Sequence, residues 1–200
     1  SAMASVVGYG PAVSFALPRT VIVPSNAEES QTISLAAIDA TADLYHVAVP
    51  MLTDSVYIRS EVTNDSLYIL LPGRASIFHG SDYVGKTSLS TVTPGETFTL
   101  DLGIDPSVTA TRSLVQKNTA STGLFASAKQ TTYDYQIAIS NGQDESIDIR
   151  VWDRIPISRD ASIEIQLENV SQPLSTDANY VKQERPRGLL RWDLAIHANM

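Results

Sequence analysis

Apolar and polar residues alternate with a period of two along the stretch from Thr132 to Leu167. Tyr133, Tyr135, Ile137 and Ile139 interleave with Asp134, Gln136, Ala138 and Ser140. Beyond Asn141-Gly142, Ile147, Ile149 and Val151 interleave with Asp148, Arg150 and Trp152, and Ile163, Ile165 and Leu167 make a third row. Successive side chains of an extended chain point to opposite faces, so the pattern predicts half-buried antiparallel strands with a turn at Asn141-Gly142. A three-stranded meander of this kind has one apolar face, which a second layer must cover.

The same reading extends upstream. PAVSFALP and RTVIVP are two extended pieces closed by proline, which suits strand ends and edges. Gln31 to Ala37 and Leu44 to Val49 predict a hairpin, with a short helix over Ser34 to Ala40 as the alternative. Val56, Ile58 and Val62 lead to a turn at Asn64-Asp65, and Leu67 to Leu71 follows. Ala75 to His79, Tyr83 to Leu89 and Thr97 to Leu102 are separated by Gly80-Ser81-Asp82 and Pro94-Gly95. Strands at intervals of about 8–12 residues indicate a sandwich rather than a parallel α/β sheet. A long polar strand, Val108 to Gln116, opens the second half, and Ser162 to Glu168 and Leu189 to His197 are its later strands, with Asn179 to Lys182 a weak addition. Residues 117–130 lack periodicity and are expected to be a mobile loop, with Leu124-Phe125 as a lone apolar pair.

Composition narrows the class. An apolar content of 43% with 18% charged residues describes a folded globular chain. The opening SAMAS lacks a signal-peptide pattern and reads as a remnant of tag removal. The absence of cysteine excludes disulfides, thiolate metal sites and cysteine nucleophiles. A net charge of -8 argues against nucleic acid and anionic membrane surfaces as partners, and no apolar run predicts membrane insertion. Arg185, Arg187 and Arg191 form the one basic patch, expected to be a solvated strand edge.

Candidate chemistry is sparse. Gly80 to Thr87 satisfies the G-x-x-x-x-G-K-[ST] pattern, but that loop needs a helix after the lysine to hold phosphates. Tyr83-Val84 and the β-branched, proline-ended continuation predict a hairpin instead, with Lys86 on its wet face. His46, His79 and His197 lie far apart in sequence, and no nucleophile elbow is present. Asp153-Arg154-Ile155-Pro156 reads as a bend between sheets, with Arg154 reaching Asp153 or Asp160. Asn64-Asp65-Ser66 and Asn169-Val170-Ser171 match the glycosylation pattern.

YHVAVPML, LLPGRASIFHGSDYVGKTSL, FTLDLGIDPSV, YDYQIAISNGQDESIDIRVWDRIPISRDASIEIQL and GLLRWDLAI occur in that order. Together they resemble the conserved C-terminal domain of unknown function of mucoidy-inhibitor-A-like proteins, over about Val13 to Ile196. In that family the domain follows an N-terminal β-rich domain and a coiled-coil segment, and no enzymatic activity is agreed. Bacterial members often look exported, so the resemblance favours the cell envelope or export over the cytoplasm for a bacterial chain. Many relatives carry basic residues after the Gly-Leu-Phe of the long loop. Ala126-Ser127-Ala128 stand there in this chain, which speaks against anion binding.

The expected fold is therefore all-β, two packed antiparallel immunoglobulin-like sandwich subdomains over residues 1–104 and 105–200, the second truncated. The expected function is a non-catalytic interaction or scaffold module without cofactor or metal. A hydrolase or carbohydrate-binding module with a site between the subdomains is the alternative. Leu124, Phe125, Leu190, Trp192 and Leu194 are the candidate interaction residues. Expected partners are the N-terminal and coiled-coil parts of the full-length chain, or a second copy through the open edge of the C-terminal strand.

Overall fold

The computed structural model describes residues 5–6, 15–16, 20, 32–122 and 128–200. In chain order the strands are β1 (Ser5–Val6), β2 (Phe15–Ala16), β3 (Ala42–Ala48), β4 (Ser55–Thr63), β5 (Gly73–His79), β6 (Asp82–Leu89), β7 (Thr97–Thr122), β8 (Ala128–Asn141), β9 (Ile147–Arg154) and β10 (Leu189–Ile196). The chain is all-β apart from a π-helical turn, Tyr180–Glu184, and a 3-10 turn, Arg185–Arg187. It divides into two compact units: Ser1–Asp43, Glu61–Ile77 and Lys86–Leu100 in one, Leu44–Ser60, Phe78–Gly85 and Asp101–Met200 in the other. The expected division after Ile104 falls inside β7. Beside Pro106 the Asp105 carboxylate accepts the Ser107 amide at 2.9 Å.

In the first unit β1 and β2 pair antiparallel, and Leu70 bridges Val92 through both backbone bonds. Asn64, 1% exposed, organises the connection after β4. Its amide donates to the carbonyls of Tyr68 and Val92, and its carbonyl accepts the Ser66 hydroxyl at 2.7 Å. The nitrogen that a glycan would need is thus buried and bonded, so this sequon is closed in the folded chain. Asn169 of the second sequon is exposed.

The second unit is built on a six-stranded sheet of order β10-β9-β3-β4-β7-β8. This single sheet, rather than two facing ones, organises the unit. The sheet is nearly closed, because Asn141 at the end of β8 exchanges both backbone bonds with Met200, beyond the end of β10. Ala48, Val56, Val108, Ala110, Ile147, Ile149 and Val151 fill its interior, with Ile137, Ile139, Trp192, Leu194 and Ile196 packed against them. Interior residues recur at every second position of β9, as alternation predicts.

Four expectations are corrected here. Asn141-Gly142 is not the turn of a hairpin, since β9 pairs with β10 and, in parallel, with β3. The Asn141 side chain is fully buried and ties the loop together instead. Ser162 to Glu168 is not a strand: Asp160 takes the amide and hydroxyl of Ser162 and the chain turns away, while β10 holds the outer edge of β9. Most of residues 117–130 is not loop, for 117–122 and 128–130 lie in a continuous β7–β8 ladder. Both faces of that ladder are wet, so no apolar alternation is required of it, and Thr119, Thr122, Thr131 and Thr132 favour extended backbone. Asn179 to Lys182 is helical rather than extended.

Gly80-Ser81 is the turn of the β5–β6 hairpin, with Gly80 at φ +60°, and Lys86 stands exposed on a strand with no helix after it. Titration with magnesium-ATP is therefore expected to give no binding heat. Micromolar affinity abolished by Lys86→Ala would show the hairpin reading to be insufficient.

Candidate interaction surface

Strands β7 and β8 are long enough to outrun the sheet's interior. Their register places Ala110 opposite Ile139, Arg112 opposite Ile137, Leu114 opposite Tyr135 and Lys117 opposite Tyr133. Residues opposite one another share a face, so these form one row. Val115 is the extra residue of a bulge between Leu114 and Gln116, which re-aims the strand beside the row. The row begins in the core at Val108 and Ala110 and continues where nothing described covers it. Leu114 is 50% exposed, Val115 64%, Tyr133 49% and Tyr135 46%. The opposite face carries Ser113, Gln136, Gln116, Asp134, Asn118 and Thr132.

The rings of the row are ordered. Tyr133 and Tyr135 stack at 6.4 Å with an interplanar angle of 11°. The Arg112 guanidinium lies 3.5 Å from the centre of the Tyr135 ring, and the Lys117 ammonium 5.1 Å from that of Tyr133. Arg112 in turn donates through Nε to Asp153 Oδ2 at 2.9 Å. Asp153 is 7% exposed and on the interior face of β9, and its other oxygen has no hydrogen-bond partner among the described residues. Asp153 thus pairs with Arg112 rather than Arg154. An ion pair in the sheet interior anchors a ladder of cations and rings that runs outward along the ribbon.

Two further polar clusters belong to the same unit. Asp105, 5% exposed, accepts from His46 Nε2 at 2.8 Å, from Gln143 Nε2 and from the Ser107 amide. On the outer face of β9 and β10, Asp193 accepts from Arg191 at 3.0 Å, Arg150 at 3.3 Å and the Ser175 hydroxyl. Burial raises the Asp193 pKa, but the hydrogen bonds from Ser175 and Arg191 and the charges of Arg191 and Arg150 outweigh it, so the group sits below its ordinary value. The carboxylate's stabilising effect is therefore present above the unfolded pKa, about 3.9, and is lost as pH falls through the folded one. Asp193 is 44% exposed, so solvent screens the effect. Urea midpoints of the protein and of Asp193→Asn should differ modestly at neutral pH and converge below about pH 4. A difference independent of pH would remove the ionic contribution.

Of the residues expected to bind partners, Leu190, Trp192 and Leu194 face inward: Leu190 is 6% exposed, and the other two pack on the core. The register accounts for this, since Leu190 stands opposite Asp153, Trp192 opposite Val151 and Leu194 opposite Ile149. Part of the outer edge of β10 is also taken. Tyr180 Oη accepts the Arg191 amide and donates to the Leu189 carbonyl, and the Ser175 amide donates to the Arg191 carbonyl. Arg191 is likewise buried and paired with Asp177 and Asp193, not part of a free basic patch. Leu124 and Phe125 lie outside the described residues. Among the described residues no three His, Asp or Glu side chains converge as a metal would require, and no helix is long and apolar enough to cross a membrane.

The ribbon face was missed because Tyr133 and Tyr135 read as the start of a core row. The signal for it was the company they keep. Gln130 to Tyr135 and Leu114 to Thr119 are too polar on average to sit inside a covered sheet.

No solved structure matches the chain. It is similar to Protein F37C4.5 of Caenorhabditis elegans, 22% identical over 174 residues, which is 87% of this chain and 31% of that protein. The chain thus spans about a third of the length of this curated relative. Residues 8–200 match the family described as Domain of unknown function (DUF4139), and with nearly its whole length so matched, the chain belongs to that family.

Proposed function

We propose that this domain is a non-catalytic interaction module and that the exposed row of the β7–β8 ribbon is the surface it presents. The observation that carries the reading is the continuation of the core's apolar row onto Leu114, Val115, Tyr133 and Tyr135, uncovered among the described residues and held in order by Arg112. Ordered aromatic rings flanked by cations supply contact area at low entropic cost, which is what a recognition surface needs. The groups best suited to acid–base chemistry, the partly buried His46 and the buried Asp105, are engaged with each other, which supports the binding reading over a hydrolase or carbohydrate-binding one. The small share of the worm relative that the chain covers supports a role as one part of a longer chain. The resemblance to mucoidy-inhibitor-A-like proteins adds an N-terminal β-rich domain and a coiled-coil segment as its working partners.

The test has two arms. Peptides selected from a displayed library against the domain are expected to bind it and to be lost with Tyr133→Ser/Tyr135→Ser. In parallel, ester, glycoside and phosphoester panels are expected to show no turnover. Turnover abolished by His46→Ala and Asp105→Asn, but not by the tyrosine variants, would establish an enzyme and overturn the proposal.

A further inference from the structure

We infer that the ribbon face receives an acidic, apolar segment of a protein partner. This rests on the interaction reading above and adds the chemistry of what is bound. The chain has a net charge of -8, yet the charged residues on this face are all basic. The register puts Arg112, Lys117 and Lys129 on it together with Leu114, Tyr133 and Tyr135, while Asp134, the acid of the ribbon, is on the other face. Arg112 is neutralised by Asp153. Neither Lys117 nor Lys129 has an acidic partner among the described residues, and Lys117 is held over the Tyr133 ring beside the apolar row.

A partner that covers this row must therefore bring apolar side chains for Leu114, Val115 and the two tyrosines. It must also place carboxylates where the two ammonium groups would otherwise be desolvated unpaired. A second copy docked face to face fails that condition, since it would set Lys117 and Lys129 of each chain against those of the other. An anionic bilayer satisfies the local charge but sets an extended plane of negative charge against the whole acidic chain, whereas a short segment meets the ribbon alone. An acidic, apolar peptide segment satisfies both demands.

Three synthetic peptides of about 20 residues, with one leucine pattern and Glu, Gln or Lys at the remaining positions, provide the probe. The Glu peptide is expected to bind at least about tenfold more tightly than the Gln or Lys peptide at low salt, with the advantage shrinking as salt is added. Lys117→Glu/Lys129→Glu is expected to invert the order in favour of the Lys peptide. Both lysines are exposed, and an unchanged urea midpoint would show that the variant folds. Glu and Gln peptides binding equally, or an order untouched by the double reversal, would overturn the acidic partner. If such binding were still lost with Tyr133→Ser/Tyr135→Ser, the interaction reading itself would stand. A concentration-dependent dimer lost with Tyr135→Ser would assign the face to a second copy. Binding to phosphatidylserine vesicles without binding to any peptide would assign it to lipid. Either result would also overturn the inference.

Discussion

Arg112→Met is expected to destabilise the protein by about 3–5 kcal/mol at pH 7, the range for removing one partner of a buried ion pair. Asp153 is 7% exposed and its carboxylate is paired with Arg112; among the described residues its second oxygen has no hydrogen-bond partner. Removing the guanidinium leaves a charge among Leu190, Val151 and the rest of the interior row. Arg112→Met/Asp153→Leu should recover most of the stability, because an apolar pair in the same space has no desolvation penalty to offset. Denaturant melts of the two singles and the double complete the cycle. A single variant within about 1 kcal/mol of the parent would mean that the pair is solvated in solution. The double variant should at the same time release the Tyr135 ring from its guanidinium, separating the ladder's order from the stability of the sheet.

Replacing Asn141 is the second substitution with a large expected effect. Its side chain donates to the carbonyls of Glu145 at 2.9 Å and His197 at 3.0 Å and accepts the Gln143 amide at 3.0 Å. Its backbone holds Met200 through bonds of 2.7 and 3.0 Å. Asn141→Ala should therefore lose about 2–4 kcal/mol, the sum of broken bonds and stranded backbone groups. For a chain of this size that is a fall in Tm of roughly 5–15 °C. Asn141→Asp should be at least as damaging at neutral pH, since it turns an acceptor toward two carbonyls. A mild Asp variant would show that shape rather than the amide's donors matters there.

Much of the strand content was legible, and the reason is that alternation reports which side chains face inward. Ile147, Ile149 and Val151 announced β9, and Leu190, Trp192 and Leu194 announced β10, before any neighbour was known. What alternation does not report is which strand lies alongside. Nothing local in His46 or Ile149 says that β3 runs parallel to β9, because parallel partners need no shared turn. The ribbon escaped for the opposite reason. Where both faces are wet, a strand is written in threonine, serine and glutamine, the same letters as a loop. Arg112 lies within what reads as a long polar strand, Val108 to Gln116, and only its place on the inward row reveals Asp153. Asn141 likewise signalled a turn with its neighbour Gly142, whereas its amide ties the loop at Gln143 and Glu145 to the chain end at His197.

The parallel pairing of β3 with β9 also sets the order of events when the chain is made. His46 and Ile149 are roughly a hundred residues apart, and non-local pairings of this kind fold on the millisecond-to-second scale. At about 5–20 residues per second, β3 and β4 wait on the ribosome for about 5–20 s before β9 emerges. Throughout that interval the edge of β3 that ends in Val47 and Ala48 has no neighbour, and Val56 has no interior to enter. Premature pairing of this edge with another nascent chain is the hazard of that period.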